Sequence, residues 1–210
     1  MFRLCVVLTL FLAAASASAQ SPPARSGDVP QTRWSHRADG LLFSYSALGA
    51  LEAHGAPLVE MTPSDIAAWC PAYPEADPER RRAFWVGFLS ALAKHESTWN
   101  PRAVGGGGRW FGLLQISPGT ARGYGCRARS GPALLDGPDN LSCGIRIMAE
   151  TVPRDGVIAV KDGRWRGVAA DWGPLRSASK RDEMARWLQG RPYCQPIART
   201  RPRVREREER

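Results

Sequence analysis

Residues Phe84–Ser97 read FWVGFLSALAKHES, a run that is almost wholly apolar up to Ala93 and then becomes polar. A helix that is apolar on nearly every side is buried in a protein core. The Asp77–Pro78 pair supplies an N-cap and a proline at the first helical position, and Asn100–Pro101 stops the helix. The sequence therefore predicts a buried central helix that carries Glu96 at its C-terminal end.

Other segments place apolar residues at helical spacing on one face only. Such patterns predict amphipathic or short helices, at 39–54, 63–69, 139–152, 165–172 and 180–188, and after the cap formed by Ser117 and Pro118. Internal repeats and convincing alternating strand patterns are absent from the sequence. We therefore expect a mainly α fold with little or no β structure.

The N-terminus, MFRLCVVLTLFLAAASASAQ, has the order of features typical of a secretory signal peptide: Arg3, an apolar stretch and an A-x-A cleavage site. The apolar stretch is too short for a membrane span, which needs about 20 residues. We expect an exported protein, periplasmic or secreted, with no membrane span. The chain then divides into a signal peptide (1–19), a flexible linker (20–37), an N-terminal helix (38–60), a core domain (61–195) and a disordered Arg/Glu-rich tail (196–210).

Four cysteines lie beyond the predicted cleavage site: Cys70, Cys126, Cys143 and Cys194. An even number in an exported chain favours two disulfides, and three pairings are possible. We favour Cys126–Cys143, which closes a short loop, and Cys70–Cys194, which ties the two ends of the domain together. A zinc site is not expected, because zinc-binding cysteines usually occur in close C-x-x-C pairs and the sequence has none.

The formal net charge of +9 is compatible with a nucleic acid, an anionic membrane or an acidic polymer as partner. Part of that charge comes from the tail RTRPRVREREER, and a basic surface is common among exported proteins, so we expect no nucleic-acid partner. The sequence also lacks a phosphate loop, a G-x-S-x-G elbow and an H-E-x-x-H motif. We expect neither a metal nor a cofactor.

Glu96 has two interpretations on position alone: a solvated charge at a helix end, or an active-site carboxyl. A glutamate with an ordinary pKa of about 4.3 is only about 0.2% protonated at pH 7. Burial raises that pKa because the charged form loses water, and a pKa of about 6 gives about 10% of the acid form. A buried helix end can therefore turn Glu96 into a proton donor.

Three ordered motifs favour the active-site interpretation. They are Glu96–Ser97, the segment Gly112–Ser117 (GLLQIS), and Asn140–Met148 (NLSCGIRIM). Their order and content resemble the soluble lytic transglycosylase domain, a relative of goose-type lysozyme, over residues 66–188. The resemblance implies a lysozyme-like helical domain.

The resemblance also implies residue roles. Glu96 matches the family's general acid and base, and Ser97 the serine that steadies the glutamate or the backbone beside it. Gln115 matches a glutamine in the sugar groove, and Leu114 belongs to the tight segment that faces the glutamate. We therefore expect Ser97, Leu114 and Gln115 to contribute to substrate binding.

The sequence departs from the family at its last motif, A-Y-N, where Asp171 and Trp172 stand for the tyrosine and the asparagine. Two interpretations are open. Asp171 is a surface residue while Trp172 packs at the groove floor, or Asp171 approaches the site as a second carboxylate. Both residues are predicted to contact substrate.

The family resemblance implies cleavage of the β-1,4 bond between N-acetylmuramic acid and N-acetylglucosamine in peptidoglycan, with a 1,6-anhydro product. Glu96 would serve as acid and then as base, so a second protein carboxylate is not obligatory. A hydrolytic lysozyme-like muramidase and a non-catalytic peptidoglycan-binding module remain alternatives. Glycan strands of peptidoglycan are the implied partner, and the sequence does not identify protein partners.

Overall fold

The computed structural model describes residues 29–196, which form a mainly helical domain. Its helices are α1 Gly40–Glu52, α2 Ala56–Glu60, α3 Pro78–Ser97, α4 Pro118–Gly123, α5 Gly137–Asp155 and α6 Ala178–Gln189. Short 3₁₀ turns lie between several of them. The prediction of a mainly α fold is confirmed.

Helix α3 is the centre of the core. Asp77 accepts a hydrogen bond from the Arg80 amide at 2.8 Å, which caps the helix as the sequence predicts. Every residue from Phe84 to Ala93 is buried, and α1, α2 and α6 pack around this segment. The helix ends where Thr98 adopts a left-handed conformation, with φ of 50°. Glu96 is thereby held on the last turn of a rigid, buried helix.

Two antiparallel hairpins complete the domain. The first pairs β1 (Val104–Gly105) with β2 (Trp110–Phe111), and the second pairs β3 (Ala159–Asp162) with β4 (Arg164–Gly167). The helix predicted at 165–172 is therefore wrong, because its first part is strand β4 and a 3₁₀ turn follows. Gly167 has φ of 62°, and a β-carbon there would collide with the backbone of Val157. The backbone at Gly167 thus packs closely against the backbone at Val157, and this contact favours a strand although the apolar residues of the segment have helical spacing.

The N-terminal unit at 38–60 contains two helices rather than one. The chain breaks at Gly55 between α1 and α2, and Pro57 lies in the first turn of α2. A β-carbon at Gly55 would collide with Ile145 of α5, so the break allows this corner to lie directly against α5. Both helices contact α3 and α5.

The linker predicted at 20–37 extends too far. Trp34 is fully buried, and its Nε1 donates to the Ser44 hydroxyl at 2.9 Å. The Arg33 amide donates to the Ser90 hydroxyl of α3 at 3.0 Å. Residues 29–37 are therefore part of the folded domain, because burial of one indole outweighs a locally polar composition. The predicted signal peptide, the linker up to residue 28 and the tail from residue 197 lie outside the described residues.

Both favoured disulfides are present, Cys70–Cys194 and Cys126–Cys143, and all four cysteines are buried. The first joins the turn before α3 to the segment that follows α6. The second joins the segment that follows α4 to the first half of α5. None of the helices within residues 29–196 combines the length and the apolar character that a membrane crossing requires.

Candidate active site

A cleft of about 590 Å³ opens at the C-terminal end of α3. Glu96 lies in it together with two stretches of chain, and the lining residues are Gly105, Gly106, Trp110, Gln115, Asp171, Trp172, Gly173, Pro174 and Arg176. A smaller pocket of about 60 Å³ shares Trp110, Gln115, Asp171 and Trp172 and extends toward Thr120. The cleft thus brings together four of the six predicted site residues: Glu96, Gln115, Asp171 and Trp172.

A second cavity, of about 640 Å³, lies among α1, α2 and the first turn of α3. It contains none of the residues of the three sequence motifs. Cavity size therefore does not identify the site, whereas the convergence of motif residues on one cleft does.

The Glu96 carboxyl is largely surrounded by protein. Burial raises its pKa to about 7 because the charged form loses water, and the nearby charge of Lys180 only partly opposes this effect. A carboxyl with this pKa is about half protonated at pH 7. It can therefore give up a proton and take one back under the same conditions, which is what a group acting as both acid and base requires.

Charged side chains on the outer face of α3 fix the turn that carries Glu96. Glu183 of α6 accepts hydrogen bonds from Lys94 at 2.8 Å and from His95 at 2.9 Å, and it pairs with Arg33 at 2.5 Å. Burial acts to raise the pKa of Glu183, but these hydrogen bonds outweigh it and lower the pKa to about 2. His95 is thus a structural partner of α6 and does not line the cleft.

Ser97 supports the site without lining it. Its hydroxyl donates to the Leu113 carbonyl at 2.8 Å, which joins the end of α3 to the GLLQIS segment. The expected direct contact of Ser97 with substrate is therefore not supported, since its hydroxyl is used by the backbone. Its position fits the other part of the prediction, the steadying of backbone beside Glu96.

The GLLQIS segment is held from below by Asn140 of α5. The fully buried Asn140 side chain accepts from the Leu114 amide at 2.8 Å and donates to the carbonyls of Phe111 and Leu134, both at 2.9 Å. Gly112 has φ of 77°, and a β-carbon there would collide with Asn140. Gly112 of the GLLQIS motif and Asn140 of the NLSCGIRIM motif thus pack directly against each other.

Leu114, which was expected to contact substrate, does not line the cleft. Its side chain is fully buried and packs against Gly144 of α5. Its backbone carbonyl accepts a hydrogen bond from Nε1 of Trp172 at 2.9 Å. Trp172 is itself only 4% exposed, so it forms part of the cleft floor with its polar atom turned into the protein.

Gln115 and Asp171 both lie in the cleft. The Gln115 side-chain amide donates to the carbonyls of Gly112 at 2.9 Å and Ala103 at 3.2 Å, and this fixes its orientation. Asp171 lies at the exposed rim. Partial loss of water raises the pKa of Asp171, while the charges of Arg154 and Arg176 act against this.

Three features of the cleft were not assigned from the sequence. The glycine-rich loop folds over the Trp110 ring, since a β-carbon at Gly106 would collide with that ring. Trp110 is still 43% exposed and presents an aromatic surface to the cleft. Arg176 lines the same cleft, and Lys180 acts on Glu96 through its charge. None of the three sequence motifs contains Trp110, Arg176 or Lys180.

Comparison with known proteins agrees with this geometry. The sequence profile of the Transglycosylase SLT domain matches residues 75–160. The wild-type form 2 structure of Bd0314 DslA is 33% identical and superimposes with a TM-score of 0.73, covering 79% of this chain and 98% of that chain. The chain belongs to the SLT transglycosylase-domain family.

Two glutamate-to-glutamine variants of DslA match equally well, both with a TM-score of 0.73. They are 33% and 32% identical, and each comparison covers 80% of this chain and 99% of that one. A comparison with curated proteins found no significant match. The SLT profile includes Glu96, the GLLQIS segment and Asn140, so the matched region carries Glu96 and one side of the cleft. The lining residues of the other side, at 171–176, lie beyond the matched region.

Proposed function

We propose that this SLT-domain protein is a peptidoglycan lytic transglycosylase that cleaves the bond between N-acetylmuramic acid and N-acetylglucosamine. The proposal rests chiefly on Glu96, a carboxyl whose burial raises its pKa to about 7 in a cleft that also contains Gln115 of the GLLQIS motif. The exposed face of Trp110 suits packing against a sugar ring. The two disulfides and the N-terminal sequence support action outside the cytoplasm, in the periplasm or after secretion.

In the proposed reaction, protonated Glu96 donates its proton to the glycosidic oxygen while the bond from that oxygen to the muramoyl C1 breaks. The N-acetylglucosamine leaves with a free 4-hydroxyl, and positive charge develops at C1. The Glu96 carboxylate then removes the proton from the muramoyl 6-hydroxyl, and that oxygen bonds to C1. The product is a 1,6-anhydro ring and Glu96 is again protonated, so one residue serves as acid and base.

Asp171 favours the hydrolytic alternative, since it lies in the same cleft as Glu96. A second carboxylate can hold or activate water on the far side of the sugar. Hydrolysis would leave a reducing muramic acid, which contains one more water than the anhydro sugar. A binding module without turnover would release no fragments.

Mass spectrometry of fragments released from purified sacculi tests the proposal. We expect anhydro ends, and we expect Asp171→Asn to release the same products because Glu96 carries both proton transfers. Hydrated ends that disappear in Asp171→Asn would instead establish the muramidase. A folded wild-type protein that binds sacculi but releases nothing would establish the binding module.

The pKa of Glu96 also predicts the pH dependence of cleavage. The acid form starts the reaction, and raising the pH through about 7 removes it. The value of kcat/KM on soluble glycan chains should therefore fall about tenfold for each pH unit above 7. Circular dichroism at each pH would verify that the fold persists. A rate that stays constant up to pH 9 would show that Glu96 is not the proton donor.

A further inference from the structure

The two stretches that line the cleft differ in charge. The residues from the 105–115 stretch are glycines, Trp110 and Gln115, none of which is ionised. The residues from the 171–176 stretch include Asp171 and Arg176. Lys180 lies in the first turn of α6, and its positive charge acts to lower the pKa of Glu96. The lining residues on the first side are thus uncharged and include an aromatic ring, with the Arg109 guanidinium 5.0 Å from the centroid of that ring, whereas the lining residues on the second side include charged groups.

The Arg176 guanidinium is held in place by backbone atoms. Its Nε donates to the Ala169 carbonyl at 2.9 Å, and its Nη2 donates to the Ala170 carbonyl at 2.7 Å. These two bonds orient the planar group, and three of its five N–H donors remain. Within residues 29–196 no carboxylate forms a salt bridge with Arg176.

A fixed guanidinium with N–H donors to spare is suited to a carboxylate, which it binds through two parallel hydrogen bonds. A glycan strand in the cleft brings carboxylates with it, on the stem peptides attached to the muramoyl lactyl groups. Without nearby cations, the negative charge of Asp171, and that of Glu96 when it is ionised, would repel these groups. The positive charges of Arg176, in the cleft, and of Lys180, near Glu96, oppose that repulsion.

We propose that Arg176 is a specificity residue that binds a stem-peptide carboxylate and makes peptide-bearing strands with free carboxylates the preferred substrate. This inference rests on the proposed glycan-binding function of the same cleft. The side with Trp110 receives the sugar rings, and the side with Arg176 receives the peptide. Hydrogen bonds to charged groups are stronger than neutral ones, so the preference should be at least about tenfold.

The test uses soluble peptide-bearing glycan chains in two forms, with free stem-peptide carboxylates and with those carboxylates converted to primary amides. Wild-type protein should cleave the free form with a KM about tenfold lower and a similar kcat. Arg176→Gln should lose this preference, so that its KM values for the free and the amidated form become equal. Arg181→Gln is the matched control, since Arg181 also donates to a backbone carbonyl but does not line the cleft.

Binding of both chains to Glu96→Gln protein, with and without Arg176→Gln, separates this inference from catalysis. A tenfold preference in Kd that depends on Arg176 supports the inference even if wild-type protein cleaves nothing, which would reject only the enzyme. Equal Kd values for the free and amidated chains would overturn it. So would an Arg176→Gln variant that loses kcat equally on both forms, because that result indicates a purely structural role.

Discussion

Replacing Glu96 by glutamine should lower the rate of glycan release by about 10²- to 10⁴-fold, the usual contribution of general acid–base catalysis. Glutamine has nearly the same shape but cannot give or take a proton. Binding of glycan strands should persist, because Trp110, Gln115 and Arg176 are untouched. Release of fragments from sacculi and co-sedimentation with sacculi measure the two properties separately.

The same substitution should make the folded protein more stable at alkaline pH. Glu96 titrates near 7 in the folded chain and near its ordinary value of 4.5 in the unfolded chain, so the folded state binds more protons between these values. Above pH 7 the ionised carboxylate therefore destabilises the fold, by up to about 3 kcal/mol. Glu96→Gln should remove this cost at pH 8 and change little at pH 4, as measured by urea unfolding.

Glu79→Gln provides a matched control, because it makes the same change on the exposed first turn of the same helix. This variant should retain wild-type activity. A Glu96→Gln protein that keeps its activity would exclude Glu96 as the proton donor. An inactive variant that is also less stable at pH 8 would attribute the lost activity to unfolding instead.

The parts of the fold that sequence predicts well are those set by local chemistry. Asp77 and Pro78 mark the start of α3. The apolar run that follows is stable only when it is buried in the core, because it is apolar on nearly every side. The motif residues Gly112 and Asn140 were recognised separately, although neither pattern shows that a β-carbon on one would collide with the other. The pairing of four cysteines was favoured on loop length and is confirmed.

The parts that sequence predicts badly depend on distant partners. Trp34 lies in a polar segment, yet its neighbour Arg33 is joined to Ser90, 57 residues away. Leu114 and Gln115 are adjacent, but the first is buried against α5 and the second faces the cleft. Arg176 reaches the cleft through a 3₁₀ turn at Gly173–Arg176, between the helices predicted at 165–172 and 180–188, where the sequence predicted no element.

Loss of the Cys70–Cys194 disulfide should be among the most destabilising changes in the domain. This bond spans 124 residues, whereas Cys126–Cys143 spans 17. In the chain-entropy account, a crosslink stabilises by restricting the unfolded chain, by about 3 kcal/mol for a 15-residue loop and about 4.7 kcal/mol for a 100-residue loop. We expect the Cys70→Ala/Cys194→Ala variant to lose about 4–5 kcal/mol in the free energy of unfolding.

The Cys126→Ala/Cys143→Ala variant is the control for lost packing, because all four cysteines are at most 2% exposed and both variants remove two buried sulfurs. It should lose about 3 kcal/mol, so guanidinium unfolding should separate the two variants by more than 1 kcal/mol. A larger loss in the Cys126 variant would contradict the entropic account. That result would mean that the bond stabilises chiefly the folded state. There it joins the segment after α4 to α5, three residues from Asn140, whose side chain accepts a hydrogen bond from the Leu114 amide.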